Sequence, residues 1–332
     1  VKIAVIGAGA IGSLVAGYLT KAGEDVLLIG HGEQVEAVQN NGLKIKSAGG
    51  EETIRPGIST RLEKEVDLAI FAVKTQDIET AYQENHAFLE RPLVLTTQNG
   101  VQADNILSSH FEKEQIISSI VMFGATYIRP GEITFNFPGD WIVGKPFMRN
   151  DADVGEVAQI LKKAFPVVVS ENIMGMKWLK LFVNFNNCLP ALIGKPMQET
   201  FADMDFCKLS AMLLKEGFAI VNNAGIELAS LPSFPVERIA GLAGMPLEQG
   251  AGIIHKTLTG LSKEPLYGSI LQSLMRKRTS EIDYINGEVV HLARNTGQEA
   301  ALNRKVVDMV HQVEQRGRFF KPEEVKEAFQ LN

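Results

Sequence analysis

Gly7, Gly9 and Gly12 constrain this chain more than any other feature, because they follow Lys2 to Ile6, a short strand-like run, within VKIAVIGAGAIG. An apolar β-branched run of that length reads as a buried strand, and G-x-G-x-x-G directly after it reads as a turn into a helix. Each glycine has a separate task. Gly7 permits the tight turn out of the strand, Gly9 lets backbone approach a pyrophosphate, and Gly12 lets the helix lie close on the sheet. The segment Gly7-Ala8-Gly9-Ala10-Ile11-Gly12 is thus a candidate dinucleotide-binding βα turn, with the amides and dipole of the helix start favouring an anion. The bland alternative is a glycine turn kept for packing. Context favours the first reading: Ser13 to Ala22 can form the helix, Gly23 can end it, and Asp25 to Ile29 reads as a second buried strand.

A chain of 332 residues, 45% hydrophobic and 22% charged, can bury two cores. Its formal charge of −6 supplies no basic field for nucleic acid. The chain opens almost at once on a core strand and no apolar run reaches the length of a membrane span. Neither a signal peptide nor a membrane association is therefore expected, and the cytoplasm is the expected compartment. Cys188 and Cys207, the two cysteines, form neither a disulfide framework nor a metal-ligand spacing, and they read as reduced structural thiols. No metal is expected.

Cofactor choice is usually made after the second strand, here at Gly30-His31-Gly32. A carboxylate there would bind the ribose 2′-OH of NAD, and a basic side chain the extra phosphate of NADP. His31 could donate to a phosphate but carries full charge only when protonated; an exposed loop histidine is the alternative. Asp67 to Val73 reads as a further buried strand with Lys74 at its carboxyl end, and Leu93 to Thr97 as another ending in Gln98-Asn99-Gly100. Ligands in open α/β sheets sit outside those ends, so Lys74 and Asn99 are candidate cofactor contacts, against a solvated lysine and a plain Asn-Gly turn. Segments from Ile116 to Gly144 read as strands joined by Pro/Gly turns, predicting that the sheet ends in hairpins rather than further crossovers. Ala152 to Phe165 predicts a helix and Pro166 to Ser170 a last strand. Helical patterns dominate from Met174 onward, which predicts an N-terminal dinucleotide-binding domain over 1–172 and an all-helical domain over 173–332.

Two stretches of the second half carry more polar groups than packing requires. In KWLKLFVNFNNCL, Lys177 to Leu189, the residues Lys180, Asn184 and Asn187 fall close to one face of a continuous helix. A lysine against apolar walls is desolvated, which lowers its pKa and suits its ammonium to protonate a developing alkoxide. Asparagines on the same face could orient a substrate; an exposed face with a snorkelling lysine is the alternative. In YGSILQSLMRKRTSEIDYING, Tyr267 to Gly287, Ser269 is expected to cap a helix beginning at Ile270, or to receive a substrate carboxylate with the first amides. Glu281, if it faces inward, could orient Lys180 and stabilise its charge; otherwise it caps the next helix or lies outside.

The ordered set Gly7-Ala8-Gly9-Ala10-Ile11-Gly12, Ala72-Val73-Lys74, Asn99-Gly100, Lys180 with Asn184, and Ser269 followed by Glu281-Ile282-Asp283-Tyr284-Ile285-Asn286-Gly287 resembles the ketopantoate reductase (2-dehydropantoate 2-reductase) family over almost the whole chain. The resemblance implies an α/β fold: an N-terminal Rossmann-like domain with an all-α C-terminal domain. It also implies NADPH-dependent reduction of a small 2-keto acid, 2-dehydropantoate, to pantoate in pantothenate biosynthesis. By matching position, Lys180 would be the general acid, Glu281 its catalytic partner, Asn184 and Ser269 substrate contacts, and Lys74 and Asn99 cofactor contacts. Three positions differ from the family's usual pattern. Cys188 stands where a second substrate asparagine is common, with Asn187 adjacent; Ser273 replaces a common acidic residue; and His31 replaces the usual base for the NADP phosphate. NAD(H) therefore stays open beside NADP(H), and so does a related reductase of another 2-keto acid or hydroxy carbonyl compound. A non-enzymatic dinucleotide sensor is the alternative of a different class. The helical domain could also pair with a second copy as a homodimer.

Overall fold

The computed structural model describes residues 1–331. The chain divides into two compact units, Val1–Met174 and the remainder from Gly175 onward.

The first unit is built on the strand-turn-helix start. β1 (Lys2–Ile6), α1 (Ala10–Lys21), β2 (Asp25–Ile29) and α2 (Gly32–Asn41) lead into β3 (Leu43–Ser47), β4 (Gly50–Ile54) and β5 (Gly57–Ser59). Then follow β6 (Leu68–Phe71), α3 (Ile78–Asn85), β7 (Leu93–Thr96), α4 (Gln102–Leu107) and β8 (Ile116–Val121). The unit closes with β9 (Gly124–Arg129), β10 (Glu132–Phe137), β11 (Trp141–Gly144), α5 (Ala152–Lys162) and β12 (Val167–Val169). Eight strands form one sheet in the order β12-β11-β8-β7-β6-β1-β2-β5. β1 lies between β2 and β6, parallel to both. Its side chains alternate between two cores: Ile3 and Val5 join the cluster with Leu14 and Leu19 of α1, whereas Ala4 and Ile6 join the one with Ile78, Ala103 and Leu107. That two-sided burial is why the central strands read as unbroken apolar runs rather than as alternating ones.

The expected hairpin ending is corrected in two ways. β11 does return antiparallel to β8, but β12 then pairs parallel to β11 after crossing over through α5. A parallel neighbour needs such a crossover, and the 3.6-residue pattern of α5, capped by the Asp151 carboxylate on the Val154 amide, supplies it. The β9–β10 hairpin, for its part, belongs to a second sheet of order β4-β3-β10-β9, in which β10 runs parallel to β3. α1 packs against strands of both sheets.

The second unit is helical: α6 (Ile173–Asn184), α7 (Cys188–Ile193), α8 (Met197–Thr200), α9 (Met204–Asn223), α10 (Val236–Gly244) and α11 (Leu247–Thr259) precede α12 (Ser269–Met275), α13 (Asn286–Asn295), α14 (Ala301–Arg316) and α15 (Pro322–Ala328). α9 is its longest helix. Asp203 accepts from the Asp205 amide at its start, and Phe206, Leu209, Leu213, Gly217 and Ile220 repeat at three to four residues as its buried stripe. α10, α11, α13 and α14 pack on it. Among the described residues, no helix is long and apolar enough to cross a membrane.

Candidate active site

In the first unit, the candidate cofactor residues gather at the carboxyl ends of β1, β2, β6 and β7. Gly7 has φ +118, and a Cβ on it would lie 2.6 Å from the Val73 amide nitrogen. A Cβ on Gly12 would stand 1.9 Å from the Gly7 carbonyl oxygen. Both glycines are therefore demanded by the fold itself. Gly9 is different: a Cβ there would meet nothing within 4 Å. Nothing in the protein explains that small residue, and open space is what a ligand approaching the backbone needs. Gly9 is also the N-cap of α1, with no side chain capping the helix and no acidic residue in its first turn. The residues present thus fit a dinucleotide pyrophosphate.

Side chains fix the turn's surroundings. Ser13 donates to the Ala8 carbonyl at 3.2 Å, and Gln34 donates to the Ser13 hydroxyl at 3.2 Å. The Gln34 carbonyl in turn accepts from Tyr127 at 3.0 Å and from the Gly131 amide at 2.7 Å. Buried Gln98 donates from its amide nitrogen to the carbonyls of Phe71 and Val73, both at 2.8 Å. It thereby clamps the ends of β6 and β7, next to which Lys74 and Asn99 stand half-buried. Nothing local in the sequence marks Gln34, on α2, or Gln98, just past β7, for these roles.

Ala8 also explains the residue that opens the cofactor-choice loop. A Cβ on Gly30 would come 2.5 Å from the Ala8 Cβ, so a carboxylate at position 30 would displace the glycine turn. His31 lies exposed at the N-cap of α2, and its Nε2 stands 3.4 Å from a Glu84 carboxylate oxygen.

In the second unit, the expected continuous helix over Lys177 to Leu189 is broken. α6 ends at Asn184, a 3₁₀ turn covers Phe185–Asn187, and α7 begins at Cys188. Lys180 and Asn184 keep their one-turn spacing on α6, but Asn187 leaves that helix face. It packs instead against Gly268, where a Cβ would lie 2.4 Å from the Asn187 side-chain oxygen, so the structure sets Asn187 beside the residue before Ser269. Ser269 does not cap its helix. Gly268 occupies the N-cap, Ser269 is the first helical residue and exposed, and its carbonyl accepts from the Ser273 hydroxyl at 3.2 Å. A position already helical in backbone cannot fold its hydroxyl onto the next amides as an N-cap does.

The Glu281 charge acts on Lys180. The Lys180 ammonium is lowered to about 8: burial is the largest cause, the Lys177 charge adds to it, and the Glu281 carboxylate opposes both. Glu281 makes no side-chain cap to the 3₁₀ turn Ile282–Tyr284 that it precedes. Both cysteines are buried and free of disulfides, and burial pushes the Cys188 thiol up to about 12 and that of Cys207 to about 11. Neither is a nucleophile at neutral pH. Among the described residues, no group of three or more His, Cys, Asp or Glu side chains could hold a metal ion.

Comparisons with known proteins match both halves of the chain. Residues 3–146 match the family described as "Ketopantoate reductase PanE/ApbA", and residues 172–314 match its C-terminal counterpart. The 2-dehydropantoate 2-reductase of Pyrococcus abyssi is 32% identical over 305 residues, covering 91% of this chain and 94% of that protein. Its counterpart from Pyrococcus horikoshii is 30% identical over the same length and coverage. Among solved structures, a PanE/ApbA family ketopantoate reductase from Ralstonia eutropha superposes with a TM-score of 0.81 at 25% identity, covering 96% of this chain and 99% of that one. A D-mandelate dehydrogenase solved with NADH and anilino(oxo)acetate shares the fold with a TM-score of 0.83 at 24% identity and the same coverage.

Proposed function

The chain belongs to the ketopantoate reductase family of oxidoreductases, and from that membership we propose that it reduces 2-dehydropantoate to pantoate with NADPH, as a cytoplasmic step of pantothenate biosynthesis. The observation that carries the reading is Lys180, an ammonium lowered to about 8 chiefly by burial, with the Glu281 charge opposing that shift. A bound nicotinamide cofactor supplies the hydride. Lys180 gives its proton to the ketone oxygen as negative charge develops there, and a pKa near the working pH suits it to that transfer. Glu281 keeps enough of the lysine protonated to act. Asn184, one helical turn along, Asn187, which packs on Gly268, and Ser269, the first residue of α12, bind the hydroxy keto acid. Gly9 and the open amides of α1 hold the pyrophosphate, with Lys74 and Asn99 as further cofactor contacts.

A second reading concerns the cofactor alone. The Glu84 carboxylate beside His31 would repel a 2′-phosphate and accept a bond from a 2′-hydroxyl, which favours NADH.

Purified protein is assayed for oxidation of NADPH and of NADH with ketopantoate and with other 2-keto acids. Ketopantoate turnover that falls at least about a hundredfold in Lys180→Ala, with cofactor affinity retained, is the expected result. Cofactor binding without ketopantoate turnover would overturn the substrate; turnover undiminished in Lys180→Ala would overturn the acid.

A further inference from the structure

The turn that carries Glu281 is held from outside by a histidine to which the reading above gives no task. His311 lies on α14. Its Nδ1 stands 2.9 Å from a Glu314 oxygen one helical turn away, and its Nε2 stands 3.0 Å from Asp283 Oδ1 on the 3₁₀ turn. The other Glu314 oxygen accepts the Ser280 amide at 2.8 Å. Ser280 is itself buried, and its hydroxyl accepts the Ile282 amide at 3.4 Å. The four residues Ser280 to Asp283 are thus fastened to α14 at both ends, with Glu281 inside the fastened segment.

Two ring nitrogens that each face a carboxylate oxygen can both donate only when the imidazole is protonated. Burial works against that charge, but the hydrogen bonds and charges of Glu314 and Asp283 outweigh it and raise the His311 pKa. The Glu314 carboxyl is lowered: its burial is outweighed by the Ser280 and His311 bonds. α7, α9 and α13 also pack on α14, yet among the described residues the charges acting on the ring are those of Asp283 and Glu314 alone.

We propose that His311 is a positioning residue: by bridging Asp283 and Glu314 it holds the Ser280–Asp283 turn so that Glu281 stays against Lys180. The proposal rests on the reading of Lys180 as the acid only for its consequence in turnover. The physical link is independent of that reading, since Glu281 raises the Lys180 pKa. Loosening the turn lets that pKa fall, and the alkaline limb of the reduction rate moves to lower pH with it. The imidazole loses its second proton as pH rises through its raised pKa, so the bridge is complete on the acid side and weakens on the alkaline side.

The test compares the unaltered chain with His311→Ala, His311→Gln and His311→Arg. The Lys180 pKa is read directly by NMR of its labelled side-chain nitrogen, and the pH profile of kcat/KM is taken in parallel. Both the lysine pKa and the alkaline limb are expected to drop by about half a unit or more in His311→Ala. Arginine, whose planar fork keeps its charge and can reach two carboxylates, is expected to restore both, while the cofactor KM stays unchanged. A Lys180 pKa that does not move in His311→Ala overturns the proposal, whether or not the chain reduces ketopantoate. Should His311→Ala fail to fold, the neutral donor of His311→Gln makes the same comparison. Undiminished turnover in Lys180→Ala, by contrast, would overturn the acid assignment while the lysine pKa still decides the role of His311.

Discussion

Three glycines spaced over six residues have three different reasons to be there, and substitution separates them. Gly12→Ala sets a methyl 1.9 Å from a backbone oxygen, so it should destabilise the fold by several kcal/mol, on the order of a severe core overpacking. Gly9→Ala meets no protein atom; thermal unfolding should shift little while the dissociation constant for the dinucleotide, followed by nicotinamide fluorescence, rises tenfold or more. Equal effects on stability at both positions would show that Gly9 is small for the protein's own sake. Lys180 provides a second prediction at this scale. Its pKa near 8 lies below that of an unfolded lysine, so between about pH 8 and 10 the unfolded chain binds the extra proton and stability should rise with pH. Lys180→Met should remove that rise and stabilise the protein at neutral pH, as read from urea titrations at a series of pH values. The glycines were legible in the sequence because their spacing is local. The company Lys180 keeps was only half legible: a helical wheel could offer the lysine a face, but the carboxylate opposite it comes from a turn a hundred residues on. The same limit misled the reading of Ser269, since one residue's difference in where a helix begins decides whether a hydroxyl caps or protrudes.

Elements were read well where a single periodicity ran unbroken, as in β1, β2 and α5, and poorly where a helix bent or a strand changed partners. The 3₁₀ turn at Phe185–Asn187 leaves no mark in a sequence that stays apolar and polar at helical intervals on both sides. Strand pairing was equally hidden: β3 and β10 lie some ninety residues apart, and nothing in either announces the other. Helix α14 illustrates a cap that no sequence window could reveal. No side chain near Ala300 caps it; instead Glu216 of α9 accepts the amides of Leu302 at 2.9 Å and Asn303 at 2.8 Å. Asn303, wholly buried, donates to the Leu213 carbonyl at 3.1 Å and to Glu216 at 2.8 Å, and accepts from Asn286 at 3.0 Å. Glu216→Ala or Asn303→Ala should each cost about 2 kcal/mol or more in denaturant unfolding, because the remaining partners are left buried and unsatisfied. Their double mutant should cost clearly less than the sum, the signature of one shared network.

Across the whole molecule, the candidate residues divide between the two units by chemistry: the glycine turn and strand ends in one, a buried lysine with amides and a hydroxyl in the other. Composition foretold a chain with room for both units, and the change from strands to helices was plain from residue pattern. If the dinucleotide binds as proposed, saturation at a hundred times its dissociation constant should stabilise the protein by about 2.7 kcal/mol, measurable as a rise in Tm that grows with the logarithm of cofactor concentration. A Tm indifferent to NADPH and NADH alike would count against the reading of the glycine turn. The smaller sheet has a consequence for how the chain is made. The β3–β4 hairpin is complete by Ile54, but the edge of β3 that β10 will cover stays bare until Glu132 has been synthesised. At about 5–20 residues per second, that leaves an open strand edge for several seconds on the ribosome. Lys44 and Lys46, the charged residues of β3 that will sit opposite Glu132 and Thr134, are the kind of side chain that discourages a nascent edge from pairing with the wrong neighbour.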